Sequence, residues 1–418
     1  MVLFLHNRYR TTGGEERVVD DLLWLVREHL GEDAELLERD SATLGRGAAA
    51  LGLLRGGLAP EEVARAVRLT GARVVHAHNL HPALGWRALA AARAAGARVV
   101  LHLHQYRLVC AIGVCFTRGE ECTRCHGRDT LPGVRLNCRG SLSEGAAYGA
   151  ALALWQRRLV DQADAVVVPS VFARERLRAL GAPLDWGRVH VLPPPVRALD
   201  APRSPIGEAD LEGSEDAIGG AYALVVSRLA PEKGVDVAID ACQAAGIPLV
   251  VAGEGPERAA LEARARKETG EARAEVRGER TAEARGEATA EVRFLGQLNE
   301  ARLAALRAGA AIALAPSRSA ETFGLAVAEA MAAGLPVAAS RVGALGELVE
   351  EGGLVPVGEA GALAAAIGRL AGDRAVGERN LERIRGLCAP VEVAEGLRRV
   401  YEAATTPDAS EGRSRATS

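Results

Sequence analysis

Short apolar runs alternate with longer amphipathic stretches along most of this chain. Val2 to His6 reads as a strand, Asn7 to Gly14 as a loop, and the EERVVDDLLWLVREHL pattern from Glu15 has the spacing of a helix packed on one face. Further apolar strands are predicted at Arg73 to His76, Arg98 to Leu103, Ala165 to Val168 and Val189 to Leu192, with helical segments between them. Such alternation predicts a parallel sheet covered by helices. The rhythm starts again at Tyr222 to Val226 and continues through Pro248 to Ala252, Val292 to Gly296, Ala311 to Ala315 and Pro336 to Ala339. The expected organisation is a Rossmann-like domain over 1–196 with a Cys-rich insert at 105–140, a Pro/Gly/Ser-rich linker at 197–220, and a second such domain over 221–388. Within the second, 267–291 reads as a charged insert in which AEVR recurs; 389–405 reads as a helix returning to the first domain, and 406–418 as a disordered tail.

Charge separates the halves. Residues 1–200 hold 26 Arg against 21 acidic residues, and all nine histidines precede residue 191, so the remainder is acidic although the whole chain is only −3. No basic footprint for nucleic acid results. There are two lysines, Lys233 and Lys267, among 51 basic residues. No signal-peptide core opens the sequence and no long apolar run follows, which predicts a cytoplasmic protein, with peripheral contact at the inner membrane face as the alternative.

The richest stretch runs from Ala310 to Ser340. Its pattern predicts strand, loop and then a helix over Thr322 to Ala333, closed by Gly334 and Pro336. Backbone N–H groups of Phe323, Gly324 and Leu325 would start that helix, where an anion can be held. Glu321 precedes the helix and Glu329 sits two turns further on among Ala, Val and Met. A carboxylate without a neighbouring counter-charge invites a ligand diol. At the end of the Tyr222 strand, Arg228 and Lys233 stand five residues apart, a pairing suited to a diphosphate. In the first half, Gly13 and Gly14 open a helix and would let amides approach a phosphate or the acceptor, a tight turn being the alternative. His76, His78, Asn79, His81, His102 and His104 gather at two strand ends. Alternation puts His102 and His104 on one face, with His104 last, where a sheet opens to ligand. Asn79 and His81 are candidates for acceptor contact, and a histidine metal site is an alternative without an HExxH motif.

Read together, Glu321-Thr-Phe-Gly-Leu through Glu329-Ala-Met-Ala-Ala-Gly-Leu-Pro-Val resembles the retaining glycosyltransferases of the bacterial group with a Glu, seven residues, Glu signature and the GT-B fold, the family 4-like type. The resemblance implies two Rossmann-like domains with parallel sheets facing a central cleft. It implies Glu321 and His104 at the donor sugar, Glu329 at the ribose, Arg228 and Lys233 on the diphosphate, Gly13 and Gly14 nearby, and the strand ending at Gly296 near the nucleobase. The implied reaction moves a sugar from a nucleoside-diphosphate donor to a carbohydrate, lipid-linked or small-molecule acceptor hydroxyl with retention, and requires no cofactor. A same-fold epimerase or sugar phosphorylase, and a non-catalytic zinc-bearing sugar-binding module, are the alternatives.

Cys110, Cys115, Cys122, Cys125 and Cys138 crowd into one segment. A structural zinc on Cys122, Cys125, Cys138 and Cys110, with His126 as another ligand, stands beside a loop of free thiols. A subset of the resembling family carries a similar insert. The helix Ser141 to Asp161 is too short and interrupted to span a bilayer and is expected to pack on the first domain.

Overall fold

A computed structural model describes residues 1–9, 13–200, 221–266 and 290–406. Most of the expected linker, most of the charged insert and the terminal tail fall outside these residues. The chain divides into two compact units. Residues 1–117, 122–197 and 388–418 make up the first, and 198–387 most of the second.

In the first unit six parallel strands, β1 (Val2–Arg8), β2 (Ala34–Asp40), β3 (Val74–Ala77), β4 (Arg98–His102), β5 (Ala165–Val168) and β6 (Val189–Val191), lie in the order β2-β1-β3-β4-β5-β6. Val-, Leu- and Phe-rich β1 and β3 to β5 are buried almost throughout, as strands covered on both faces must be. Strand β2 was not expected. Only Ala34 of its seven residues is buried, so this edge strand lacks the apolar run of its neighbours. One core joins Leu5, Val75, Leu89, Leu101 and Val166, each large aliphatic contributing roughly 1.5–3 kcal/mol by leaving water. Helix Leu142–Val160 is capped by Ser141, whose side chain accepts the Glu144 amide, and it buries Ala151, Leu152, Leu159 and Val160 in this unit. Helix Pro390–Thr405 belongs here too and packs on β4 and β5. Among the described residues no helix is long and apolar enough to cross a membrane.

The second unit repeats the scheme with β7 (Ala223–Val226), β8 (Leu249–Ala252), β9 (Val292–Gly296), β10 (Ile312–Ala315), β11 (Val337–Ser340) and β12 (Leu354–Val355), all parallel. Their order is β9-β8-β7-β10-β11-β12. The chain reverses direction of travel across the sheet between β7 and β10, so the loops after those two strands diverge and leave a crevice. Both units are thus doubly wound α/β layers, as the alternating pattern required.

Candidate active site

The loops leaving β7 and β10 carry the residues singled out in the second half. After β7 the chain passes Ser227 and Arg228, makes a short turn of 3-10 helix at Pro231–Lys233, and enters helix Val235–Ala245 through Gly234. Gly234 has φ of +64°, and a Cβ there would lie 2.1 Å from the Pro316 carbonyl oxygen. Only glycine lets the β7 turn close on the β10 loop. That closure places Lys233 Nζ 2.6 Å from Glu321 Oε1, which also accepts a 2.7 Å hydrogen bond from Ser317 Oγ. Burial by itself would push the Glu321 carboxyl up; the Lys233 charge and the hydrogen bonds from Lys233 and Ser317 outweigh it and hold the group below the usual carboxylate range.

Arg228 is half exposed and pairs with Glu232. The Glu232 carbonyl accepts the Arg318 amide at 2.8 Å, and the Arg318 guanidinium grips both oxygens of Asp236 at 2.7 and 2.6 Å. The turn is therefore stapled to the β10 loop by charge as well as by Gly234.

Helix Leu325–Ala332 begins three residues later than expected, because its N-cap Gly324 has a left-handed φ of +105° that no helix interior allows. Val327 and Ala328 make the first bonds, to the Gly324 carbonyl, so the amides just before them face out of the helix start. Phe323 is buried immediately ahead. Glu329 is buried, as its setting implied, but it does have a counter-charge. Arg307, from helix Glu300–Gly309, is itself buried and meets Glu329 while holding Glu300 at 2.8 Å. The partner comes from another element, which local spacing does not reveal.

Two glycine turns back these loops. Gly253, with φ of +144°, would place a Cβ 1.9 Å from the Ser227 carbonyl, and its amide donates at 2.7 Å to Gly296, the last residue of β9. Gly343, with φ of +61°, lies so close to Glu321 that a Cβ would sit 2.4 Å from the Glu321 nitrogen, and Ala344 donates to the Glu321 carbonyl at 2.9 Å.

The first unit has its own polar centre at the ends of β3 and β4. His76 Nε2 lies 3.2 Å from His102 Nδ1, and His78 Nδ1 lies 2.7 Å from His104 Nε2. The pairs stack, with the His102 and His104 rings 4.2 Å apart, which is the shared face that alternation predicted. Tyr401, on the helix Pro390–Thr405, meets His76 Nδ1 at 2.8 Å. Burial, the largest cause throughout, lowers all of these imidazoles: His76 to about 3, His81 to about 4, and His78, His102 and His104 below their ordinary value. They are neutral at pH 7. Ligand atoms of His76, His78 and His102 fall within 4.8 Å of one another, yet both His76 nitrogens are already hydrogen-bonded, so an ion would have to displace those bonds.

Beside His104, Gln105 Nε2 donates to Tyr9 Oη at 2.6 Å and to Glu15 Oε2 at 2.8 Å, and Arg107 donates to Tyr9 Oη at 2.9 Å. These groups form the polar end of a pocket, partly open to solvent, whose other walls include Leu53, Trp86, Leu152 and Trp155. The Gly13 amide is not directed at a ligand: it donates to Glu16 Oε2 at 2.8 Å, capping helix Gly14–Glu28. Asn79 is likewise committed, donating to the Asn7 and His81 carbonyls.

Comparison with known proteins gives this geometry a lineage. Residues 11–195 match the family described as Glycosyl transferase 4-like domain, and residues 220–373 match Glycosyl transferases group 1. The chain belongs to the GT4-like glycosyltransferases of the GT-B fold. Crystal structures of Anabaena HepE with UDP and glucose (TM-score 0.63, 18% identity, 96% of this chain and 99% of that one) and of Thermosynechococcus elongatus sucrose-phosphate synthase (0.64, 20%, 96% and 98%) share the fold. Among curated relatives, a Mycobacterium leprae phosphatidyl-myo-inositol mannosyltransferase is 40% identical over 121 residues, 27% of this chain and 32% of the relative. A Mycobacterium tuberculosis glycogen synthase is 32% identical over 236 residues, 54% of this chain and 50% of that protein. The matches thus span about a third to a half of these relatives.

In this GT-B chain the second unit brings Arg228, Lys233, Glu321, Phe323 and Gly324 onto neighbouring loops, with Glu329 buried on the helix that Gly324 caps. Sequence reasoning missed Ser317, Arg307, Gly343 and the Arg318–Asp236 clamp. Ser317 and Arg318 lie inside the stretch already singled out; Arg307 and Gly343 are fixed by contacts that no local motif carries.

Proposed function

We propose that this chain transfers a sugar from a nucleoside-diphosphate donor to an acceptor hydroxyl with retention of anomeric configuration. The observation that carries the reading is the Lys233–Glu321–Ser317 contact at the ends of β7 and β10, a charged pair in the crevice where a doubly wound sheet takes its ligand. Lys233 and Arg228 receive the diphosphate, helped by the outward amides at the start of helix Leu325–Ala332. Glu321, already ionised beside Lys233, faces the sugar, and Glu329, oriented by Arg307, takes the ribose diol. Gly296 lies at the nucleobase.

As the glycosidic bond to phosphate breaks, negative charge collects on the departing diphosphate and positive charge on the sugar. Fixed cations on one side and a fixed carboxylate on the other therefore stabilise the transition state more than the ground state. The route is the front-face one that the family resemblance implies, in which the departing phosphate takes the acceptor proton on the same face. His104 serves the transferred sugar as a neutral imidazole held by His78. The cavity beside it, polar at the Gln105 and Arg107 end and apolar at the Trp86 and Trp155 end, suits an acceptor with an apolar body. The resemblance to inositol-lipid mannosyltransferases supports lipid-linked acceptors as the first to be tried.

The test is a set of reactions with UDP-, GDP-, ADP- and dTDP-sugars and amphiphilic acceptors, with the anomeric proton of the product followed by NMR. An α-linked donor should yield an α-linked product, and donor alone should keep its sugar unchanged. An inverted product, or sugar isomerised without acceptor, overturns the proposal.

A further inference from the structure

The transferase reading leaves one cluster of reactive side chains unused. Five cysteines, Cys110, Cys115, Cys122, Cys125 and Cys138, all line one small cavity in the first unit, and none forms a disulfide. The segment that carries them has little other support. Its regular structure amounts to a three-residue turn, two-residue strands and the five-residue helix Leu131–Arg135. An irregular segment of that length stays ordered when something ties it together from within.

The sulfurs are not equivalent. Amides of Ile112, Gly113 and Cys115 approach Cys110 Sγ and those of Ala111 and Gly133 approach Cys125 Sγ, while Cys125 Sγ lies 4.0 Å from the Thr130 carbonyl and Cys138 Sγ 3.5 Å from the Thr117 hydroxyl. A neutral thiol is a weak acceptor, whereas thiolate sulfur bound to a metal is the usual target of such N–H groups. Gly133 is confined to this task, since a Cβ there would come within 2.6 Å of Ala111 and 3.4 Å of Cys125 Sγ. Cys115 differs from the rest. It is the most deeply buried of the five, at 1% exposure, and its sulfur lies in hydrogen-bond contact with Cys110 Sγ. His126, the other ligand considered, packs against Gly181 and does not line the cavity.

We propose that Cys110, Cys122, Cys125 and Cys138 bind one structural zinc ion, with Cys115 as a hydrogen-bond donor to the Cys110 thiolate. Cys122-x-x-Cys125 supplies the chelating pair, Cys110 arrives from the segment after β4, and Cys138 follows helix Leu131–Arg135. Four thiolates in a closed tetrahedral set leave no open position, so the ion is structural. As placed, no three of the sulfurs lie within 4.8 Å of one another, and Zn–S bonds of about 2.3 Å bring ligand sulfurs to about 3.8 Å apart. Binding therefore draws the segment inward and makes its order depend on the ion.

The test needs no activity and is independent of the transferase reading. Full-length protein purified with reductant, after a brief chelator wash, is measured for zinc by mass spectrometry, then titrated with a mercurial while released zinc is followed with a metallochromic dye. The proposal expects about one zinc per chain, released as four thiols are modified, with Cys115→Ser retaining the ion and Cys122→Ser losing it. Modification of the segment thiols with no zinc released, or a Cys122→Ser variant that keeps full zinc, overturns it. Should Cys122→Ser fail to fold, the wild-type titration decides alone.

Discussion

His76, His78, His81, His102 and His104 are where the chemistry of single residues reaches the whole protein's stability. Each is held neutral by burial, below the ordinary value near 6.5, so the unfolded chain takes up protons that the folded chain refuses. Their contribution is complete above about pH 6.5 and is lost as pH falls toward their lowered values, about 3 for His76 and about 4 for His81. Glu321 acts in the same direction at lower pH. Its carboxyl is held down, so the Lys233 contact stabilises above the ordinary carboxylate range and is lost as pH falls through its folded value. Urea unfolding between pH 7.5 and 4.5 should show stability falling with acid, at about 1.4 kcal/mol per pH unit for each proton taken up. A flat profile would mean that the histidine ladder is protonated or open in the native state. The sequence shows the histidines as a cluster, and alternation correctly pairs His102 with His104. It does not show Tyr401 beneath His76, because that contact spans 325 residues.

Elements were legible to the degree that their burial was uniform. Strands β4, β5, β8 and β10 announce themselves by short apolar runs, whereas β2 is an edge strand reading AELLERD and passes for a helix or loop. The late start of helix Leu325–Ala332 is due to one left-handed residue, Gly324, in a stretch whose composition is otherwise helical throughout. Glu329 was expected to be alone because its own helix is apolar, and Arg307 arrives from a separate helix that is adjacent only in the folded sheet. Gly343 shows the same limit more sharply. The turn after β11 carries no motif, yet the left-handed backbone of Gly343 allows the close contact that fixes Glu321. Gly343→Ala should therefore cost roughly 1–3 kcal/mol in urea unfolding and reduce turnover with little change elsewhere in the fold. Wild-type stability and turnover in that variant would show that the turn has room to spare.

At the scale of the molecule, the alternating pattern was enough to specify two parallel doubly wound sheets, since buried parallel strands cannot be written with polar residues. It could not give the strand order. The reversal between β7 and β10 is a property of the second sheet, and it brings the loops of Lys233 and Glu321, 88 residues apart in sequence, to one crevice. Lys233 was conspicuous beforehand because lysine is so scarce here, but its pairing with Glu321, and that of Arg228 with Glu232, appears only in the fold. The central claim is that this crevice holds a nucleoside diphosphate. The most direct measurement is a thermal-shift panel of UDP, GDP, ADP and dTDP on the wild type and on Lys233→Ala, where a ligand at 100 times its dissociation constant adds about 2.7 kcal/mol to the folded state. One nucleotide should raise the wild-type transition and leave that of the variant nearly unmoved. No shift with any of the four, or equal shifts in both proteins, would contradict a donor site built on Lys233 and Glu321.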